Sequence, residues 1–293
     1  MRALLSGRSG DRPLILPGAP DALAARVIEA LGFAATYITG AGVTNARLGM
    51  PDLGLMTLTE LADTVEAVRN AVAIPIVVDA DTGFGGPLNV RRTVQTLERR
   101  GANAIQLEDQ VSPKRCGHFA GKEVIATEEM VAKLQAALDA RREDSLLIIA
   151  RTDARQMLGL EAALERAQRY REVGADVIFV EAPQSRDELA EIGRRLDGPL
   201  LVNIVEGGAT PQLPAQELGG LGFSIVLYAN AALRGAVRGM QLVLAHLQRT
   251  GSTRGALEQM IGWDERQELV GKPFFDALSD RYATPREEEA MNE

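Results

Sequence analysis

Short runs of consecutive apolar, largely β-branched residues recur eight times along the 293-residue chain, each followed by polar residues and then by a helical pattern. The runs are 14–16 (LIL), 36–39 (TYIT), 74–81 (IPIVVDAD), 104–109 (AIQLED), 146–153 (LLIIARTD), 177–183 (VIFVEAP), 200–206 (LLVNIVE) and 224–229 (SIVLYA). Continuous rather than alternating hydrophobicity marks strands buried on both faces, as in a parallel sheet. The segments between them carry helix punctuation. One opens at Asp21 and stops at Gly32, suited to a left-handed cap. Thr57 with Glu60 forms a capping box flanked by Met56 and Leu61, and Ser185 with Glu188 repeats the box before Gly198 closes that helix. Pro87 starts a further helix, where its missing N–H costs nothing, and Gly101 ends it. Strand then helix, eight times over, predicts an α/β fold of the (β/α)8 TIM-barrel type, with the catalytic barrel in 1–250.

Residues 251–293 hold more helix than one barrel needs, with Trp263 and the apolar Leu257, Met260, Ile261, Leu269, Phe274, Phe275 and Leu278. This extension packs either on its own barrel or, swapped, on a neighbouring subunit. The acidic end, PREEEAMNE, is expected to fray.

Composition removes several functions. The net charge of −8, from 40 acidic and 32 basic residues, argues against nucleic acid or an anionic membrane as partner. A single cysteine, Cys116, permits no internal disulfide. No run approaches the ~18 apolar residues of a membrane span, and the N-terminal apolar run is far too short for a signal sequence, so a cytoplasmic location is expected. Two histidines, His118 and His246, exclude a multi-histidine metal site. Any metal must be held by oxygen.

Barrel enzymes place their chemistry at the C-terminal ends of the strands. There the sequence sets Asp79 and Asp81, Glu108 and Asp109, Arg151 and Asp153, Glu181, and Asn203 and Glu206. Asp79 and Asp81 point the same way, because side chains alternate along a strand. Crowded carboxylates repel unless a cation sits among them, so Asp79, Asp81 and Glu108 read as a site for Mg2+ or Mn2+. The competing reading is strand-end acids solvated or paired with Arg151.

After the fourth strand comes KRCGHFAGK, 114–122, a connection long enough to act as a lid. Lone cysteines are usually inert and buried, but Lys114, Arg115, Gly117 and His118 give Cys116 an electropositive setting that suits a reactive thiol, with His118 as a substrate contact. GAGVTN, 40–45, half resembles a dinucleotide fingerprint, but its last glycine is missing and no helix is expected to begin directly, so a nicotinamide site is rejected. Thr39, Gly40 and Ala41 instead offer a hydroxyl and backbone N–H groups to a small carboxylate. TGFGG, 82–86, lacks the lysine of a phosphate loop and reads as a turn allowing close backbone approach.

Six stretches carry a resemblance: YITGAGVTNARLGMPDLGLMT, VVDADTGFGGPLNV, QLEDQVSPKRCGH, ARTDAR, FVEAP and NIVEGGATP. In order and spanning essentially the whole barrel, they resemble the isocitrate lyase and phosphoenolpyruvate mutase superfamily. Within it, DTGFGGPLNV, GHFAGK and EGGATP look most like the branch of 2,3-dimethylmalate lyase, petal death protein and methylisocitrate lyase. The resemblance implies a Mg2+-dependent barrel, commonly a homotetramer that exchanges its terminal helix between subunits. It implies Asp81 as direct metal ligand, with Asp79 and Glu108 holding metal-bound waters. It places Thr39, Gly40, Ala41, Asp52, Gly117, Arg151, Glu181 and Asn203 at the substrate. Family lyases commonly carry serine where this chain has Thr39. The lysine-x-cysteine-glycine-histidine loop marks the carbon–carbon lyases of the superfamily.

The reaction expected from that placement is cleavage of a di- or tricarboxylate bearing a 2-hydroxyl: the hydroxyl collapses to a carbonyl, the C2–C3 bond breaks, and Cys116 delivers a proton to the leaving carbon. His118 and the loop cations, Lys114 among them, stabilise charge on the leaving carboxylate. Either Tyr37 or a metal-ordered carboxylate accepts the hydroxyl proton. The alternatives are an oxaloacetate decarboxylase, a phosphonomutase in which Cys116 is idle, and a binding protein without turnover.

Overall fold

The computed structural model describes residues 1–6, 12–114, 121 and 123–283. They form two compact units, Met1–Gly235 and Ala236–Glu293. The first is a closed barrel of eight parallel strands paired in chain order, the last strand returning to the first. The strands are β1 Leu14–Ala19, β2 Thr36–Ile38, β3 Ile76–Asp79, β4 Ala104–Glu108, β5 Leu147–Thr152, β6 Val177–Val180, β7 Leu200–Asn203 and β8 Ile225–Tyr228. Seven of the eight predicted runs contain their strands; the first, 14–16, falls short of β1, which continues through Pro17 and Gly18 to Ala19.

Alternation along each strand sorts the apolar residues into two cores. Leu16, Val77, Leu147, Ile149, Val177 and Leu201 belong to the cluster filling the barrel. Their chain neighbours Ile76, Val78, Ile148, Ile178 and Val202 belong to a larger cluster shared with the surrounding helices. A parallel strand buried on both faces needs both sets, which is why the runs are continuous.

The helices follow the sequence punctuation with small differences. α1, Arg2–Ser6, was not anticipated; Met1, Leu4 and Leu5 pack against the barrel-filling cluster while Arg2 bonds the Asp144 carbonyl and the Asp176 carboxylate. α2, Ala22–Ala30, is capped by Asp21, and Gly32 takes φ 83° beyond its end. α3 is a single turn, Gly40–Val43, continued by a π-helical turn at Thr44–Leu48. α4, Leu58–Ala71, has the full Thr57–Glu60 capping box, and α5, Pro87–Arg99, starts on its proline. α6 spans Thr127–Ala140, and α7 spans Ala154–Val173 with a break at Gly159. On α8, Arg186–Arg195, the box is only half made: Ser185 accepts the Glu188 N–H. Glu188 turns to Arg155 and the Gln184 N–H instead, because a guanidinium is the stronger donor. Helix α8 ends at Arg195, and Gly198, at φ 77°, lies past it in the turn to β7. α9 is Ala215–Gly220. α10, Ala231–Thr250, begins in the first unit and runs into the second.

The second unit continues with a 3-10 turn, Arg254–Gln259, then α11, Trp263–Leu269, and α12, Lys272–Tyr282. It leaves Leu257, Trp263, Phe274 and Phe275 exposed, with Arg266 stacked over the Trp263 ring and the two phenylalanines edge to face. Among the described residues no helix is long and apolar enough to cross a membrane.

Candidate active site

The same alternation that packs the barrel decides which polar residues reach its mouth. Counting by twos from the interior positions Val77, Ala104, Ile149, Val177 and Leu201 gives Asp79 and Asp81, Gln106 and Glu108, Arg151 and Asp153, Phe179 and Glu181, and Asn203. All of these are buried.

Asp79 is held by three donors. The Gly40 N–H reaches its Oδ2 at 3.3 Å, while the Asp81 N–H and the Gln106 amide reach its Oδ1, each at 3.2 Å. Gln106 in turn accepts the Tyr37 hydroxyl at 3.0 Å. Gly40 leaves room for both acids: a Cβ there would lie 3.0 Å from Asp81 Oδ1 and 3.2 Å from Asp79 Oδ2 and would press on the two carboxylates.

Asp81 lies in a left-handed turn at φ 48°, followed by Gly83, Phe84 and Gly85, all at positive φ. Two helices support the turn from behind. Thr93 of α5 donates to the Gly83 carbonyl at 3.1 Å, and the buried Lys133 of α6 donates to the Thr82 carbonyl at 3.2 Å. In front, Lys114 lies between Asp52 Oδ1 at 2.6 Å and Asp81 Oδ1 at 2.8 Å. Burial lifts the Asp81 carboxyl to about 6, against the pull of Lys114. Burial also works against the Lys114 ammonium, but Asp81, Glu108, Asp79 and Asp52 outweigh it and hold the group protonated.

Arg151 occupies the other side. Asp153 takes its guanidinium in a fork, Nε at 2.9 Å and Nη2 at 3.0 Å, with Glu108 at 3.5 Å, Glu181 at 3.6 Å and the Phe179 ring 5.2 Å from the guanidinium carbon. Glu108 Oε1 and Asn203 Oδ1 are buried without a hydrogen-bond partner among the described residues. Burial raises the Glu108 carboxyl well above the ordinary range although Arg151 opposes it. The mouth thus combines buried acids, two buried cations and polar atoms left open.

A family model described as phosphoenolpyruvate phosphomutase matches residues 2–248. The chain is 43% identical to 2,3-dimethylmalate lyase of Eubacterium barkeri over 286 residues, 98% of both chains. It is 45% identical to 2-methylisocitrate lyase of Aeropyrum pernix over 258 residues, 88% of this chain and 83% of that one. The chain belongs to the phosphoenolpyruvate mutase and isocitrate lyase superfamily. A solved oxaloacetate acetylhydrolase, in complex with 3,3-difluorooxaloacetate, superposes with a TM-score of 0.89 at 35% identity, covering 96% of this chain and 95% of that one. The protein is therefore an enzyme of this superfamily's lyase and mutase chemistry.

Several expectations are modified within the superfamily frame. Among the described residues no group of three or more His, Cys, Asp or Glu side chains forms a metal cage. Asp81 turns to Lys114 and Glu108 flanks Arg151, part of the arginine-paired arrangement that competes with the metal reading. The donor set still fits Mg2+, which commonly takes one or two carboxylates directly and the rest through water. Asp79 and Asp81 meet across Gly40, and Glu108 Oε1 has no hydrogen-bond partner among the described residues.

At the glycine stretch a helical turn does begin directly at Gly40, because Thr39 caps it by accepting the Gly42 N–H at 3.4 Å. That hydroxyl and the Gly40 N–H, offered to a carboxylate ligand by the sequence reading, are thus engaged inside the protein. Glu206 leaves the mouth to pair with Arg234 at 2.9 Å, and Asp109 turns to the helix side. Tyr37 suits a proton acceptor poorly, since burial and then Asp79 raise its phenol well above the ordinary value. Arg115, Cys116, Gly117 and His118 lie outside the described residues. The sequence reading missed Gln106 and Lys133. The first was legible as the inward neighbour, two residues back, of Glu108; the second was legible as a lysine on the apolar face of α6, three residues after Met130 and four before Ala137.

Proposed function

We propose that the protein is a divalent-metal-dependent carbon–carbon lyase cleaving a 2-hydroxy dicarboxylate of the 2,3-dimethylmalate, 2-alkylmalate or 2-methylisocitrate type. The products are a 2-oxo acid such as pyruvate and a second carboxylate. The observation carrying this reading is the buried set Asp79, Asp81 and Glu108 at the barrel mouth, faced by the buried cations Lys114 and Arg151. The names of the similar lyases from E. barkeri and A. pernix support it.

Asp81, with Asp79 and Glu108, would hold Mg2+ or Mn2+. When bound, the ion lowers the proton affinity of the substrate hydroxyl and offsets the charge of its carboxylate. Arg151, oriented by its fork with Asp153, grips a substrate carboxylate. Glu108, whose Oε1 has no hydrogen-bond partner among the described residues, takes the hydroxyl proton. Lys114 and His118 stabilise negative charge on the departing carboxylate, and Cys116 protonates its carbon. Thr39, Ala41, Asp52, Gly117, Glu181 and Asn203 complete the substrate surroundings. The exposed apolar side chains of the second unit support an oligomer, taken as a homotetramer; light scattering on the purified protein measures its mass.

The decisive assay follows 2-oxo acid release from 2,3-dimethylmalate, alkylmalates, 2-methylisocitrate, isocitrate and oxaloacetate, with and without EDTA. Release from at least one hydroxy dicarboxylate that stops on chelation and returns with Mg2+ is expected. Full turnover in metal-free protein would refute the metal's part. Cys116→Ser is expected to bind 2-oxo acid normally and lose at least ~100-fold in turnover. The similarity to oxaloacetate acetylhydrolase favours one second reading, C–C cleavage of oxaloacetate; conversion of oxaloacetate to oxalate and acetate, with no 2-oxo acid released from any hydroxy acid of the panel, would establish it.

A further inference from the structure

Behind the mouth lies a buried cluster that the proposed reaction leaves unused. Asp109 follows Glu108, so alternation sends its side chain out of the barrel toward α7. Its Oδ2 accepts Thr152 Oγ1 at 2.7 Å, the Tyr170 hydroxyl at 2.9 Å and Arg166 Nη1 at 3.1 Å. Its Oδ1 accepts the backbone N–H of Asp153 at 2.9 Å. Four donors, from the end of β5 and from α7, thus converge on one fully buried carboxylate.

The arrangement matters for Arg151, which has three carboxylates within reach: Asp153 at 2.9 Å, Glu108 at 3.5 Å and Glu181 at 3.6 Å. Charge alone does not choose among them. If Arg151 settled on Glu108, it would neutralise an acid assigned to the metal and withdraw its donors from the substrate. Asp153 takes the fork, and its backbone N–H is held by Asp109 Oδ1 at 2.9 Å.

The geometry points to Asp109 as a positioning residue for Arg151, acting through Asp153, with Arg166 and Tyr170 as its supports. Arg166 Nη1 reaches Asp109, the Ile125 carbonyl at 2.9 Å and the Tyr170 hydroxyl at 3.3 Å, tying the carboxylate to α7 and to the chain before α6. The inference rests on the reading of Arg151 as the group that grips a substrate carboxylate.

The test uses the full-length protein with Mg2+ and oxalate, a small dianion carrying the adjacent oxygens of a 2-oxo acid. Crystal structures and calorimetric titrations of Asp109→Asn, Tyr170→Phe and Asp153→Asn are compared with wild type, together with the Asp109→Asn, Asp153→Asn pair. In Asp109→Asn the Arg151–Asp153 fork is expected to open and oxalate affinity to fall about tenfold, the scale for one charged hydrogen bond. In the Asp153→Asn background the same change adds no further loss, the signature of a shared path. Tyr170→Phe, which keeps the volume, shifts the fork and the affinity in the same direction by less, and serves if Asp109→Asn fails to fold. A merely structural role would lower the melting temperature and leave fork and affinity alone. An intact fork, or losses that add in the pair, overturns the inference. Failure of wild type to bind oxalate would overturn instead the reading of the mouth, and the fork in the variant structures would still decide the positioning.

Discussion

Replacing Lys114 by methionine is the sharpest probe of the mouth, because it keeps most of the aliphatic stem and deletes one charge. The side chains of Lys114, Asp52 and Asp81 are only 5%, 10% and 8% exposed, so this is not a surface pair worth a few tenths of a kcal/mol. Removing one member of a buried ion pair strands the other, at about 3–5 kcal/mol. Asp81 sets the pH dependence. Its folded pKa of about 6 lies above the ordinary 3.8, so the carboxyl weakens the fold as pH rises from the lower value to the upper. Without Lys114 that upper value climbs further. The stability loss in Lys114→Met is therefore expected in full at about pH 8 and reduced by half or more at about pH 5, where Asp81 takes up a proton. Urea unfolding of variant and wild type in EDTA, at both pH values and with matched slopes, measures it. A loss below ~1 kcal/mol, or the same loss at both pH values, would refute the account of Lys114 as counter-charge to buried carboxylates.

Three further outcomes are expected. Protons compete with a divalent ion for Asp81, so apparent Mg2+ affinity measured by calorimetry holds above about pH 6 and falls about tenfold per unit below it; a flat profile would remove Asp81 from the ligand set. Lys133→Met leaves the Thr82 carbonyl unpaired beside the Asp81 turn and is expected to cost about 1–3 kcal/mol and to weaken Mg2+ binding; unchanged unfolding and Mg2+ titrations would show that the turn stands without it. Gly40→Ala pushes a methyl to 3.0 Å from Asp81 Oδ1 and is expected to lower Mg2+ affinity about tenfold with little change in melting temperature, measured by the same titration and by calorimetric melting.

The barrel was legible because strands buried on both faces must be apolar throughout, and runs such as 146–153 contain that signal directly. The runs overshoot at their C-terminal ends, 177–183 against Val177–Val180 and 200–206 against Leu200–Asn203, since residues lining the mouth leave the strand ladder. α1 escaped notice because five residues carry no periodicity, and its role depends on where the chain's first turn meets the barrel. Acids at the mouth were legible from charge at strand ends; the engagement of each was not. Whether Glu188 completes a box or meets Arg155, and whether Thr39 faces a ligand or caps its own helical turn, depends on partners far away in the chain or on local backbone geometry. Lys133 shows the limit: its place on the apolar face of α6, three residues after Met130 and four before Ala137, marks it as buried, but not which distant carbonyl it holds.

The turn at Asp81 narrows what can stand there. A backbone at φ 48° admits glycine, asparagine and aspartate with little strain, and of these aspartate alone carries charge. Lengthening the side chain to glutamate would therefore disturb the peptide path as well as the reach of the carboxylate, and asparagine would keep the path while discarding the charge. Asparagine is thus the informative replacement: any defect it causes belongs to electrostatics, with the local chain trace left as it was.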